Sequence, residues 1–327
     1  MKILKRILLI LLIIILAVAA IWAYQYFHHS DPAKVKTYET TNALITPDRL
    51  QISAHRSGSG IMPEETMMAF KHCIESSDFA VDWYEFDLHL TKDNVLVLLH
   101  DDELDRTSDS AEVFGEEGVT PSDKTYEELL QLNMGYNFQA DDGTYPFKDP
   151  TADQLEDLRI ATLDQVLDYL SANGDFHFII EVKDEGQRGM TATDMLYTDL
   201  TERGILDKVL FGSFQNDVCA YVDQTYPDLM RCASPSEVVD FVMAYIFNKS
   251  DFTAGYEVMN VPFGDIKECK GINMGTAGFI NYAHSHDIAV FYWTINDEND
   301  MAYLNSMKAD CLISDYPDKV YAIKDQR

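Results

Sequence analysis

Glu85 and Asp87, two positions apart, share one stretch from Trp83 to Asp102 with His89 and His100. Written as a strand, this stretch turns Tyr84, Phe86, Leu88 and Leu90 to one face and Glu85, Asp87 and His89 to the other. Two carboxylates therefore share a face. Lys92-Asp93-Asn94 has a turn composition, so the apolar run Val95 to Leu99 folds back and delivers His100 near the carboxylates. Upstream, Ala54-His55-Arg56 is followed by Pro63-Glu64-Glu65-Thr66 at the head of a helical run. Glu-x-Asp alone is equally well the wet face of an amphipathic hairpin. Two histidines, an arginine and acidic pairs at strand ends instead suit proton transfer, since histidine titrates near neutral pH.

Such side chains need a frame to bring them together. From Leu50 onward short apolar runs alternate with helical periodicity, the pattern of parallel βα units. Strands are expected at Gln51 to Ala54, Trp83 to Leu88, His177 to Val182, Val209 to Ser213, Met230 to Ala233, Glu257 to Val261, Ala289 to Thr294 and Cys311 to Ser314. This set suits an α/β TIM (β/α)8 barrel. Val95 to His100 is left out of it, because a parallel crossover takes a dozen or more residues; it reads as a β-hairpin excursion. Helices such as Glu65 to Ser76, Thr162 to Ser171, Thr191 to Arg203, Ser236 to Ile246 and Asp297 to Met307 form the outer ring. The acidic segment of about 108–158 is too long for an ordinary loop and reads as a cap inserted over one rim.

Before the barrel, Lys2, Lys5 and Arg6 precede an apolar run from Ile7 to Ala23 with Trp22, Tyr24 and Tyr26 at its far end. A span needs about 20 residues, so residues 1–27 read as a basic cytoplasmic end plus one transmembrane helix. Residues 28–46 are then a tether and 47–327 the barrel, held outside the cytoplasm at the cell membrane. The competing reading is a cleaved signal peptide ending near Ala17-Val18-Ala19 and a secreted protein. The net charge of −30 excludes nucleic acid as a partner and disfavours anionic lipid surfaces, so an anionic substrate needs a local cation. Five widely spaced cysteines without Cys-x-x-Cys exclude a zinc ribbon or a dense disulfide framework; one bridge remains open. His284 and His286 read as surface residues, and Asn248-Lys-Ser250 fits a glycosylation pattern.

Active groups of such a barrel sit at the carboxyl ends of strands. There the sequence places His55 and Arg56, Glu85 and Asp87, Glu181 and Lys183, Ser213 and Gln215, Trp293 and Asn296, then Asp315. The ordered set resembles the glycerophosphodiester phosphodiesterase family. The resemblance runs over His55-Arg56, Pro63-Glu-Glu-Thr66, Tyr84 to Asn94, His100-Asp101, Asp105-Arg-Thr107, Thr162-Leu163, Glu181-Val-Lys183, Ser213-Phe214, Trp293-Thr-Ile-Asn296 and Ser314-Asp-Tyr-Pro317. The family usually has Gly after His-Arg and Asn in Pro-Glu-Asn-Thr; here Ser57 and Glu65 stand there.

The resemblance implies hydrolysis of glycerophosphodiesters to glycerol 3-phosphate and an alcohol. Glu85, Asp87 and Glu181 would hold a divalent cation, Ca²⁺ or Mg²⁺ given oxygen-only ligands. Glu181 has the alternative of a plain ion pair with Lys183. His55 and His100 would be the acid and base, with the first nucleophile either the neighbouring glycerol hydroxyl or water. Arg56 would clamp a phosphate oxygen and Lys183 add a point charge, a structural salt bridge being the alternative for each. Glu64 would cap its helix, orient His55 or touch metal; Trp293 would wall the alcohol pocket or only pack; His89 would lie in solvent or behind the ligands. The other activities in view are a lysophospholipase D and a hydrolase of polymeric glycerophosphate, and outside enzymes an exported binding or scaffold protein on a silent barrel.

Overall fold

The computed structural model describes residues 11–13, 15–17, 19–20, 23–24 and 26–327. Parallel strands β1 (Gln51–Ala54), β2 (Trp83–Leu90), β4 (His177–Val182), β5 (Val209–Gly212), β6 (Val258–Pro262), β7 (Ala289–Trp293) and β8 (Cys311–Ser314) run in the order β5-β4-β2-β1-β8-β7-β6. The fold is TIM-barrel-like. Where a further strand was expected at Met230 to Ala233, only single bridges form, Phe211 to Arg231 and Cys232 to Val258, which join β5 to β6. Backbone bonds from Phe211 N to Met230 O and from Ala233 N to Val258 O accompany them, and the buried Arg231 guanidinium is held by Asp223 and Glu237 on the flanking helices.

Two apolar layers follow from strand alternation. Trp83, Ile179, Leu210, Phe291, Cys311 and Ile313 fill the barrel interior. Tyr84, Phe86, Leu88, Phe178, Ile180 and Val209 face outward and pack under the helices. The helices present matching stripes. Met67–Glu75 is capped by the Thr66 hydroxyl, which accepts from Ala69 N, and buries Ala69, Phe70 and Cys73. Leu163–Asn173 starts with a Thr162/Gln165 capping box and buries Leu163, Val166, Leu167 and Leu170.

The excursion after β2 is as expected. β3 (Leu96–Leu98) pairs antiparallel with β2, Leu88 opposite Leu98, across a turn in which Asn94 takes a left-handed φ of 59°. The segment beyond it carries only short helices, Ser110–Phe114, Tyr126–Leu129 and Ala152–Asp157. Val119, Leu129, Leu132 and Met134 pack with Val97, Leu99, Leu104 and Ile160, so this insertion shares its core with the hairpin.

The expected span, Ile7 to Ala23, lies in large part outside the described residues. Among the described residues no helix is long and apolar enough to cross a membrane. The tether segment is not loose: from Tyr26 to Thr46 it hydrogen-bonds down the flank of the barrel. All five cysteines are free and buried, so the open disulfide does not form. His284, expected at the surface, is instead buried and pairs with the buried Asp310 at 2.8 Å, because the turn before β8 brings that carboxylate under the helix end. His286 is partly buried and pairs with Tyr282 O.

Candidate active site

Register decides which residues meet at the carboxyl rim. Ala54 is opposite both Tyr84 of β2 and Ser314 of β8, so the next residues, His55, Glu85 and Asp315, adjoin one another. Asp87 and Glu181 are direct neighbours across β2 and β4. Below this charged layer the barrel is apolar, so the carboxylates sit where little water reaches.

His55 Nδ1 donates to Asp315 Oδ1 at 2.6 Å, and its Nε2 lies 4.0 Å from Glu85 Oε2. Asp315 is fixed in turn by the Ser59 hydroxyl and by Asn296 Nδ2. Burial would raise the Asp315 carboxyl, but hydrogen bonds from His55, Ser59 and Asn296 take it down to about 2. For His55 burial works downward, and the Glu85 and Asp315 carboxylates overcome it, leaving the imidazole above its ordinary value. His100 is held the same way, Nδ1 to Asp101 Oδ1 at 2.7 Å, and its charge is close enough to act on Asp87. Each histidine thus has Nδ1 committed to a carboxylate and Nε2 without a hydrogen bond, that of His55 facing Glu85 at 4.0 Å.

The chain around His55 is bent to make this possible. Arg56, Ser57 and Gly58 have φ of 47°, 59° and 91°. Left-handed backbone costs a non-glycine residue about 1–2 kcal/mol. Ser57 offsets this with its hydroxyl, which donates to Arg56 O and accepts from Glu65 N. The bend turns Arg56 N onto Glu85 Oε2 at 2.8 Å. It also aims the guanidinium of Arg56 toward Glu64, Nη1 to Oε1 3.3 Å, while the buried Nε has no hydrogen-bond partner.

Glu85, Asp87 and Glu181 each offer an oxygen within 4.8 Å of the others. Burial, with Asp87 adding repulsion, pushes both Glu85 and Glu181 up to about 7. Burial opposes ionisation of Asp87 too, but Lys183 and His100 keep it below its usual range. Lys183 Nζ is 2.9 Å from Glu181 Oε1 and 3.4 Å from Asp87 Oδ1, angled as an ion pair rather than a hydrogen bond. Both oxygens of Asp87 and Oε1 of Glu181 are consequently buried without a hydrogen-bond partner. Buried carboxylate oxygens are ordinarily satisfied, and a hard cation bound by oxygen ligands answers that deficit. The residues fit a divalent ion.

Of the other expected residues, Glu64 is gripped by Arg106 through both oxygens, at 2.6 and 2.9 Å. Arg106 also donates Nε to Asp101 Oδ2 at 2.5 Å, so one guanidinium links the His100 partner to the residue beside Arg56. Trp293 packs edge-on against Phe214 at the rim. His89 is not in solvent: it is buried and faces Asp184 at 3.3 Å. Glu65 is buried, accepts the Asp87 N–H at 2.7 Å, and is pushed well above the usual carboxylate range by burial and by Asp87.

A cavity of about 480 Å³ opens beside His55, lined among others by Arg56, Glu64, Arg106, Phe138, Asp315 and Tyr316. The three carboxylates lie outside this lining, beyond His55. The roles of Asp315, Asp101 and Arg106 as supports were not assigned from the sequence. The adjacent pair His100-Asp101 was the available signal for one of them.

A sequence profile described as the Glycerophosphoryl diester phosphodiesterase family matches residues 55–319. The chain is 27% identical over 288 residues to a glycerophosphodiester phosphodiesterase of Bacillus subtilis, covering 86% of this chain and 88% of that protein. It is 25% identical to one of Bacillus altitudinis, covering 84% and 98%. Its fold is similar to a phosphodiesterase of Oleispira antarctica solved in complex with the product sn-glycerol-3-phosphate, with TM-score 0.59, 21% identity, and coverage of 84% of this chain and 96% of that one.

Proposed function

Because this chain belongs to the glycerophosphoryl diester phosphodiesterase family and is a phosphoric diester hydrolase, we propose that it cleaves glycerophosphodiesters to glycerol 3-phosphate and an alcohol with His55 and His100 as the proton-transfer pair. The observation that carries this reading is the matched support of the two imidazoles, Asp315 on one and Asp101 on the other, beside the Glu85, Asp87 and Glu181 cluster, in which Asp87 and Glu181 have buried oxygens without a hydrogen-bond partner.

Glu85, Asp87 and Glu181 would hold the divalent cation, Ca²⁺ or Mg²⁺, which when bound supplies neutralisation of the nonbridging phosphate oxygens and activation of the attacking one. Arg56, with a buried free Nε at the cavity wall, holds a nonbridging oxygen by charge-assisted hydrogen bonds. Lys183 steadies the carboxylates and adds positive charge beneath the phosphate. The imidazoles share the two proton transfers: Nε2 of one takes the proton of the attacking oxygen, either water directly or the neighbouring glycerol hydroxyl with water then opening the cyclic phosphate, and Nε2 of the other gives a proton to the leaving alkoxide as the P–O bond breaks. Their aspartates fix ring orientation and tautomer throughout.

The N-terminal apolar run is proposed as a retained single membrane span with the barrel outside the cytoplasm. The described residues in it are helical, and Leu11, Leu12, Ile13, Ile15 and Leu16 are exposed, which suits lipid contact.

The test is ³¹P NMR of glycerophosphocholine with the full chain and a divalent cation. A resonance of glycerol 3-phosphate is expected. Phosphocholine as the phosphorus product, or no conversion, would contradict the reading.

A further inference from the structure

The strands run from a floor, where they begin, to the rim, where the site lies. Chain that precedes β1 ought to approach from the floor side, and a free linker would do so from any direction. Residues 26–46 instead follow one path. At the rim, Tyr26 O accepts from Asn273 Nδ2 at 2.8 Å, in the loop after β6. His29 stacks on Tyr303 with ring centroids 3.9 Å apart, and Ser30 N donates to the Tyr303 hydroxyl at 3.0 Å. On the flank, Asn281 of the helix Ala277–His284 accepts from Lys36 N at 2.7 Å and donates to Lys34 O at 2.9 Å. At the floor, Thr40 and Thr41 donate to the Asp287 carboxylate, Asn42 Nδ2 to Glu257 O and Asp287 O, and Thr46 N to Asp310 Oδ1. The strap descends from rim to floor, and the chain therefore leaves the barrel at the rim.

Reach makes this consequential. A flexible linker between Ala23 and Gln51 has a root-mean-square span of about 30 Å, enough for the barrel to turn freely. With the strap docked, only Tyr24 and Gln25 separate the apolar run from Tyr26, which allows at most about 7 Å per pair of extended residues. Hydrogen bonds at three levels favour the docked form. The leaving chain exposes Tyr24 and Phe27, and the rim loops after β5 and β6 expose Phe214 and Ile266. The chain's net charge of −30, with its acidic residues all beyond the apolar run, would otherwise keep the barrel away from an anionic surface.

Resting on the membrane-span reading above, we propose that residues 26–46 are an orienting strap that holds the catalytic rim against the outer surface of the bilayer, so that the site works on glycerophosphodiester groups carried by single-chain lipids in that surface. The substrate's phosphodiester meets Arg56 at the interface, its chain remaining in lipid. Phe214 and Ile266 lie at the contact. The linkage is geometric, and its strength is that of a raised local concentration.

The experiment uses the full chain in phosphatidylcholine vesicles. The native cysteines are buried, so a single added thiol is labelled selectively, at Ile266→Cys on the rim or at Ser77→Cys on the floor, and energy transfer to a headgroup acceptor is read. High transfer from position 266 and background transfer from position 77 are expected. Equal transfer, or more from position 77, overturns the orientation. An Asn273→Ala/Asn281→Ala variant, checked by melting, should keep wild-type turnover of soluble glycerophosphocholine and lose on the order of tenfold on vesicle-borne lysophosphatidylcholine. No loss on vesicles, or equal loss on both substrates, also overturns it. Flotation and soluble turnover are recorded on the same samples. A chain that does not float removes the span and the strap's role together, whereas one that floats without turnover removes the chemistry and leaves the orientation to be decided by the transfer result.

Discussion

Asp315 Oδ1 lies 2.6 Å from His55 Nδ1, and its other oxygen is taken by Asn296. The aspartate therefore fixes which nitrogen of His55 faces the cavity. In Asp315→Asn the amide can donate as well as accept, so the wrong tautomer becomes available. The expected result is a loss of kcat of roughly 10²–10⁴ with little change in KM, read by steady-state kinetics on a variant of unchanged melting profile. A loss confined to KM would give Asp315 a binding role instead.

Arg106 joins Asp101, the partner of His100, to Glu64, the neighbour of Arg56. Arg106→Ala frees both carboxylates and should lower kcat by roughly 10–100-fold. Arg106→Lys, which cannot span two carboxylates with a planar fork, should recover only part of this. Full recovery by lysine would reduce the role of Arg106 to charge alone.

Two buried carboxyls held up near 7, Glu85 and Glu181, make a definite pH statement. Folded, they bind protons that the unfolded chain releases near pH 4.5, so their contribution to stability is fully present below that pH and is lost as pH rises through about 7. Asp315 has the opposite sign: its contribution is present above its unfolded value and lost only as pH falls through about 2. The metal-free protein should therefore melt at lower temperature at pH 8 than at pH 5.5. A divalent cation should raise the melting temperature more at pH 8, with protons released on binding at neutral pH. Calorimetry in buffers of different ionisation enthalpy measures that release; its absence would put the cation elsewhere.

The His284–Asp310 pair is a contact of the fold, far from the rim, on the floor side of β7 and β8. His284→Leu should cost about 1–3 kcal/mol, since Asp310 loses a buried partner while keeping Val290 N and Thr46 N. Denaturant melts report the cost. Turnover per folded molecule should be unchanged, and a loss of it would extend the functional network to the floor.

What could be read from the sequence was what short range determines. The face shared by Glu85 and Asp87 follows from a period of two, and the return of His100 follows from a connection too short to cross over. Asp315 was visible only as a polar residue at a strand end: its partnership with His55 spans 260 positions and depends on β1 pairing with β8. The strap escaped because its hold is made by Asn, Thr and backbone groups, which leave no apolar period. The strand expected at Met230 to Ala233 is reduced to two bridges that close the sheet between β5 and β6. His284 was misplaced because its neighbour Asp310 comes from the turn before another strand.

Glycerol 3-phosphate release by the full chain from glycerophosphocholine, followed through chelation and re-addition of Ca²⁺ or Mg²⁺ for wild type, His55→Ala and His100→Ala, tests the central claim most directly. Release that stops with chelator, returns with one of the ions and is absent from both histidine variants, all three proteins being folded, is the predicted result. Release that survives chelation, or persists in either variant at the wild-type rate, would contradict it.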